Sequence, residues 1–155
     1  MKTGVEWQVC NLELSKRLRE LGVKQESEFQ WADLILMSVK AGDKKSAPVK
    51  RPYWHIIHFP NYPKTGNEPN EWYELSGKEM IAAFTVAELG EMLPESRFPT
   101  GEWIEQWKYQ NTFGVELKRY ADMGAAIQTL WSVNAHTEAD ARAKMFCYLL
   151  GNKLI

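Results

Sequence analysis

The chain has little of what staples, anchors or tethers a protein. Two of its 155 residues are cysteine, Cys10 and Cys147. A disulfide scaffold carries more cysteines at closer spacing, so two reduced thiols behaving as small hydrophobes are expected. No apolar run is long enough to span a bilayer, and Met1–Cys10 holds no apolar leader core. No Asn-x-Ser/Thr triplet occurs. These absences predict a cytoplasmic protein with no membrane partner.

Charge of one sign is also missing. Nineteen Lys/Arg stand against 20 Asp/Glu, for a formal net charge of -1. Affinity resting on phosphate contacts usually needs a basic excess, so nucleic acid is the less favoured partner. The balance is uneven along the chain. Residues 1–51 carry ten Lys/Arg against seven Asp/Glu, residues 52–100 three against seven, and residues 101–155 six of each. The loop Lys40 to Pro52 therefore holds a candidate basic patch of Lys40, Lys44, Lys45, Lys50 and Arg51.

Catalytic and cofactor motifs are absent in turn. There is no Gly-x-Ser-x-Gly elbow, no phosphate-binding P-loop and no Gly-x-Gly-x-x-Gly. His55-x-x-His58 has the spacing of a metal pair only on a helix. The segment Tyr53 to Phe59 reads as a strand, where i and i+3 point to opposite sides. No metal, cofactor or catalytic residue is assigned. A helix-turn-helix is tested at Leu14 to Gly22 and at Thr85 to Leu93. It fails at both, because a short acidic stretch and a Pro-bounded loop follow where a recognition helix is needed.

What is present specifies a fold. The hydrophobic fraction is 45% and the charged fraction 25%, ordinary for a folded domain. The length suits a single α+β domain over 1–155. Asn11 is an N-cap, Leu14, Leu18 and Leu21 form one helical face, and Gly22 fits the left-handed position after the helix. Phe29 to Met37 and Tyr53 to Phe59 read as strands, and Glu71 to Leu75 with Glu79 to Phe84 as a hairpin around Ser76-Gly77. Thr85-Val86-Ala87-Glu88 is a capping box, with Val86, Leu89 and Leu93 buried and Pro94 as the stop. Trp103 to Tyr109, Phe113 to Arg119 and Ile127 to Val133 read as a three-stranded meander. A last helix starts at Thr137, buries Ala139, Ala143, Phe146, Cys147 and Leu150, and is stopped by Gly151. The expectation is a mainly antiparallel sheet of about six to seven strands packed by about three helices.

The unusual abundance is tryptophan, seven in 155 residues. Large rings suit a sheet face packed under helices, and most are expected there. Seven exceed what a core of this size needs, so one exposed aromatic patch is expected as well. The candidates are Trp54, His55, His58, Trp72, Trp103, Trp107 and Tyr109. Trp103, Trp107 and Tyr109 share a strand face, as do Trp54 and His58. Flat aromatic faces stack on partner side chains or bases.

Three stretches carry a resemblance. They are Val9 to Leu14 running on to Leu21 to Ser27 (VCNLEL, LGVKQES), Ala83 to Pro94 (AFTVAELGEMLP), and Thr137 to Met145 with Tyr148-Leu149-Leu150 (TEADARAKM, YLL). As a set they resemble a family of small uncharacterised proteins encoded by bacteriophages and prophages, and they cover about a third of the chain. The resemblance implies residence in a bacterial host and carries over no catalytic residue. The function expected is a non-enzymatic accessory protein binding a host or phage macromolecule, most readily a protein, with modulation of host defence or regulation as one form. Two alternatives stand beside it. One is a small enzyme or nucleotide-binding protein with a Trp/His-lined pocket. The other is a nucleic-acid binder acting through the basic loop 40–51.

Overall fold

Capping chemistry sets the helix boundaries. The structure is a computed structural model that describes residues 4–39, 47–48, 53–58, 70–94, 98, 100–121 and 126–155. After a 3-10 turn at Gly4–Trp7, helix α1 runs over Leu12–Glu20. Its N-cap is Asn11, whose side-chain oxygen accepts from the Leu14 N–H at 3.0 Å. Its end is a Schellman turn. Val23 N–H donates to Leu18 O and Gly22 N–H to Arg19 O, both at 3.0 Å, with Gly22 at φ +86°. Helix α2 (Val86–Met92) opens on the full capping box, with Thr85 and Glu88 each satisfying a backbone N–H of the other. Helix α3 (Glu138–Gly151) opens on Thr137. Its Asp140 carboxylate turns instead to the Asn11 N–H at 2.8 Å, tying the starts of α1 and α3 together.

Helix α3 has Gly151 as its last residue and Asn152 as its C-cap. It closes on a second Schellman turn, in which Lys153 takes φ +56° and donates to Leu150 O. A non-glycine residue there costs roughly 1–2 kcal/mol. The buried face differs from the expected one. Ala139, Ala141, Ala143, Met145, Phe146 and Leu149 are buried, whereas Cys147 and Leu150 are half-buried.

The strands are β1 (Phe29–Ser38), β2 (Ala47–Pro48), β3 (Tyr53–His58), β4 (Glu71–Ala82), β5 (Trp103–Tyr109), β6 (Thr112–Tyr120) and β7 (Ile127–Ala135). Every pairing among them is antiparallel. With three α-helices beside them, the described residues make an α+β fold. They separate into two compact units, one of Gln25–Ala83 and one of Met1–Lys24 with Phe84–Ile155.

In the unit Gln25–Ala83, β1 is central, with β4 along one side and β3 and β2 along the other. The expected hairpin around Ser76-Gly77 is not there. Residues 71–75 and 80–82 lie in line, and both pair with β1. Residues 76–79 are accommodated opposite Asp33 as an irregularity of one long strand. Turn-forming residues can mark a bulge as readily as a reversal. The core of this unit is Ala32, Leu34 and Ile57 with Tyr73 and Met80 against them.

In the other unit, β5, β6 and β7 form the expected meander. Val115 and Leu117 of β6 are buried on the face against α3, and α1 and α2 pack on α3 in turn. Leu18, Phe84, Leu89, Met145 and Leu149 are fully buried in this unit. Small residues on α3, Ala139, Ala141 and Ala143, let its backbone come close to its neighbours.

The tryptophans lie outside the fully buried core. None of the seven is buried. Six are half-buried, and Trp7 is 53% exposed. The core is aliphatic, with Phe84, Phe98 and Phe146 as its buried aromatics. No helix of the described residues is long and apolar enough to cross a membrane.

Candidate interaction surface

Register decides which aromatic side chains meet. Trp103, Glu105, Trp107 and Tyr109 of β5 oppose Lys118, Glu116, Gly114 and Thr112 of β6. On the far side, Lys118, Glu116 and Gly114 oppose Thr129, Ser132 and Asn134 of β7, and Tyr120 opposes Ile127. Alternation puts all of these on the face turned away from Val115, Leu117 and α3. It carries Trp103, Trp107, Tyr109, Tyr120 and Ile127. Tyr109 is 69% exposed, Ile127 60% and Tyr120 46%. The Trp103 and Tyr120 rings meet at 4.9 Å between centroids.

Gly114 makes room for one of these rings. The Trp107 indole lies over it so closely that a Cβ there would land inside the ring. The side-chain-free spot is filled by the cross-strand aromatic, a known way of protecting a glycine in a sheet. The Trp107 indole N–H is among the groups that lower the Glu116 carboxyl. Lys118 then bridges Glu116 at 2.9 Å and Glu105 at 2.6 Å. The hydrogen bond from Lys118 holds the Glu116 carboxyl below its usual range. The face is thus a flat aromatic field around an ordered ionic row. Two carboxylates and one ammonium leave that row at net -1.

The seven predicted binding residues do not form one set. Trp103, Trp107 and Tyr109 come together as expected. In the other unit, Trp54, His58 and Trp72 lie on one face of the four-stranded sheet, with Trp31 beside them in register. His58 meets the Phe29 ring there at 5.4 Å, and the Trp72 N–H donates to Glu74 at 2.7 Å. His55 lies on the opposite face, its ring against Tyr73 at 6.2 Å. The two histidines thus diverge as strand geometry requires. Among the described residues no three His, Cys, Asp or Glu side chains are placed to hold a metal. Lys40, Lys44, Lys45, Lys50 and Arg51 lie outside the described residues.

Sequence reasoning missed Tyr120 and Ile127. Tyr120 falls one residue past the expected end of its strand. Ile127 was hidden by a bulge. Leu117 pairs with Trp131 but Lys118 with Thr129, so Leu130 is the extra residue. The bulge turns Ile127 and Thr129 outward while Trp131 stays inward, its ring stacked on Tyr148 at 4.1 Å.

The thiols offer no nucleophile. Burial pushes Cys10 up to about 12 and Cys147 up to about 11. Cys10 also sits 3.2 Å from the Ser15 hydroxyl, as a core side chain does.

Comparison with protein-family models, with curated proteins and with solved structures gave no match.

Proposed function

We propose that this is a non-enzymatic binding protein that recognises another protein through the outer face of β5, β6 and β7. One observation carries the reading. Five large apolar side chains, Trp103, Trp107, Tyr109, Tyr120 and Ile127, share one solvent-facing sheet surface. Tryptophan and tyrosine are the residues most enriched at protein-protein hot spots. The net negative ionic row favours a partner with apolar anchors and Lys or Arg at their rim over a phosphate backbone. On the resemblance of three sequence blocks to small phage and prophage proteins, the target we propose is a host or phage protein.

The test uses the whole chain and a Trp103→Ala/Tyr109→Ser variant. A partner captured from bacterial lysate is identified by mass spectrometry, purified and titrated against both. The variant is expected to bind at least about tenfold more weakly while keeping its fold, since losing two hot-spot aromatics is worth more than about 1.4 kcal/mol. Equal affinity, or capture that disappears on nuclease treatment, would overturn the reading.

A further inference from the structure

The turn between β5 and β6 roofs a second feature on the opposite, helix-side face of the sheet. A half-open recess of ≈ 380 Å³ is lined by Trp7, Lys108, Gln110, Asn111, Phe113 and His136. That volume falls within the range of small-molecule sites, about 300–1,000 Å³. Its lining has three planar rings, two carboxamides, one ammonium and no carboxylate.

Each group suggests the same ligand chemistry. Trp7 is 53% exposed on a one-turn helix and lines the rim of the recess. The Lys108 ammonium lies 4.9 Å from the Phe113 centroid and pairs with no carboxylate among the described residues. Two nearby acids on α3 are committed elsewhere. Asp140 accepts from the Asn11 N–H at 2.8 Å, and Glu138 pairs with Arg142 at 2.6 Å. The other nearby cation, Lys144, is already seated on the Asn134 carbonyl at 2.8 Å.

The backbone of Gln110 is an independent sign. It sits at φ +51°, the first of the two residues joining β5 to β6. Glycine takes this conformation without steric cost, so the turn spends stability to keep a carboxamide on the recess. Side-chain amides donate and accept in one plane, which matches the edge of a heteroaromatic base.

We infer that this recess is a mononucleotide site. The base lies against Trp7 and Phe113, the amides of Gln110 and Asn111 address its edge, and Lys108 takes the phosphate. The site is separate from the outer aromatic face and stands or falls without it.

The experiment titrates isotope-labelled full-length protein with AMP, GMP, CMP and UMP, using adenosine and ribose 5-phosphate as part-ligands, and reads backbone amide shifts by NMR. Saturable shifts centred on Gln110, Asn111, Phe113 and His136 are expected with at least one monophosphate, and weaker binding with either part-ligand. Lys108→Gln is expected to weaken binding about tenfold, the usual scale for one charge-assisted contact. Gln110→Gly is expected to weaken binding while raising the melting temperature, a pairing that a purely structural role does not give. Arg119→Ala, at the far end of β6, is expected to leave nucleotide affinity unchanged. The inference is overturned if no monophosphate gives saturable shifts at the recess, if ribose 5-phosphate binds as well as AMP, or if Lys108→Gln binds like the parent.

Discussion

The two faces of the β5–β6–β7 sheet are made of the same three strands and use opposite materials. The face under α3 is small and aliphatic, with Val115 and Leu117 closed off by a helix that presents Ala139, Ala141 and Ala143. The face toward solvent carries two tryptophans, two tyrosines and an isoleucine around the Glu105–Lys118–Glu116 row. Burial on the helix side needs close backbone approach, which small residues allow. Solvation on the other side needs only polar residues, and the rings there exceed that need. We propose that this surplus of large side chains serves as a contact surface. No tryptophan of the chain is fully buried, although Trp131 lies on the helix side, stacked on Tyr148 of α3.

The sharpest way to break the contrast is to truncate one residue from each face. Leu117→Ala removes a side chain that is 3% exposed and leaves a cavity under α3. It is expected to cost about 2–5 kcal/mol in urea unfolding. Trp103→Ala removes a larger side chain from the outer face and is expected to cost clearly less, on the order of 1 kcal/mol. If the tryptophan proves the costlier, the outer face is a core in its own right and the contact-surface reading loses its footing.

Gly114 offers a smaller and more local test. Gly114→Ala forces the Trp107 indole off its seat. The expected loss is about 1–3 kcal/mol, as for overpacking elsewhere. In the Trp107→Ala background the same change is expected to be nearly neutral or stabilising, because alanine suits a strand better than glycine once the ring is gone. A double-mutant cycle measures the coupling directly. Additive costs would mean that the ring and the glycine are not packed as described.

Legibility in the sequence follows the range of each signal. Caps and strand parity are local, and they were readable. Asn11, Thr85 and Thr137 are N-caps, Gly22 is the left-handed stop, and the Trp103–Trp107–Tyr109 face is in place. Features set by pairing were not readable. Ser76-Gly77 resembles a turn, yet which strand Glu71–Leu75 pairs with is decided by β1, far away in sequence. The bulge at Leu130 flips Ile127 outward, and no alternation pattern reveals an inserted residue until the partner strand is known. Lys153 in the left-handed position shows the same limit. Glycine is the favoured residue there, so nothing local marked Lys153, although the helix does end at Gly151 as expected.

The smallest effect comes from the ionic row, and its sign can be fixed. The hydrogen bond from Lys118 comes first among the causes that lower Glu116, followed on the stabilising side by the Lys118 charge and the bonds from Trp107 and Ser132. A carboxylate lowered in the folded protein adds stability above its unfolded value of 4.5, and that contribution is lost as pH falls through the folded value. Lys118 is shifted upward by its hydrogen bonds to Glu105 and Glu116, so it stays charged throughout the acid range. Acidification is therefore expected to protonate Glu116 while Lys118 stays charged, and the Trp107 indole N–H resonance should move with a midpoint below the usual glutamate value. In Lys118→Met the midpoint should return toward 4.5. Exposed ion pairs contribute little to global stability, so melting temperature should hardly change while this resonance moves. A midpoint unaffected by Lys118→Met would show that the row does not hold Trp107, and the order of the aromatic face would then have to come from Gly114 and the strand register alone.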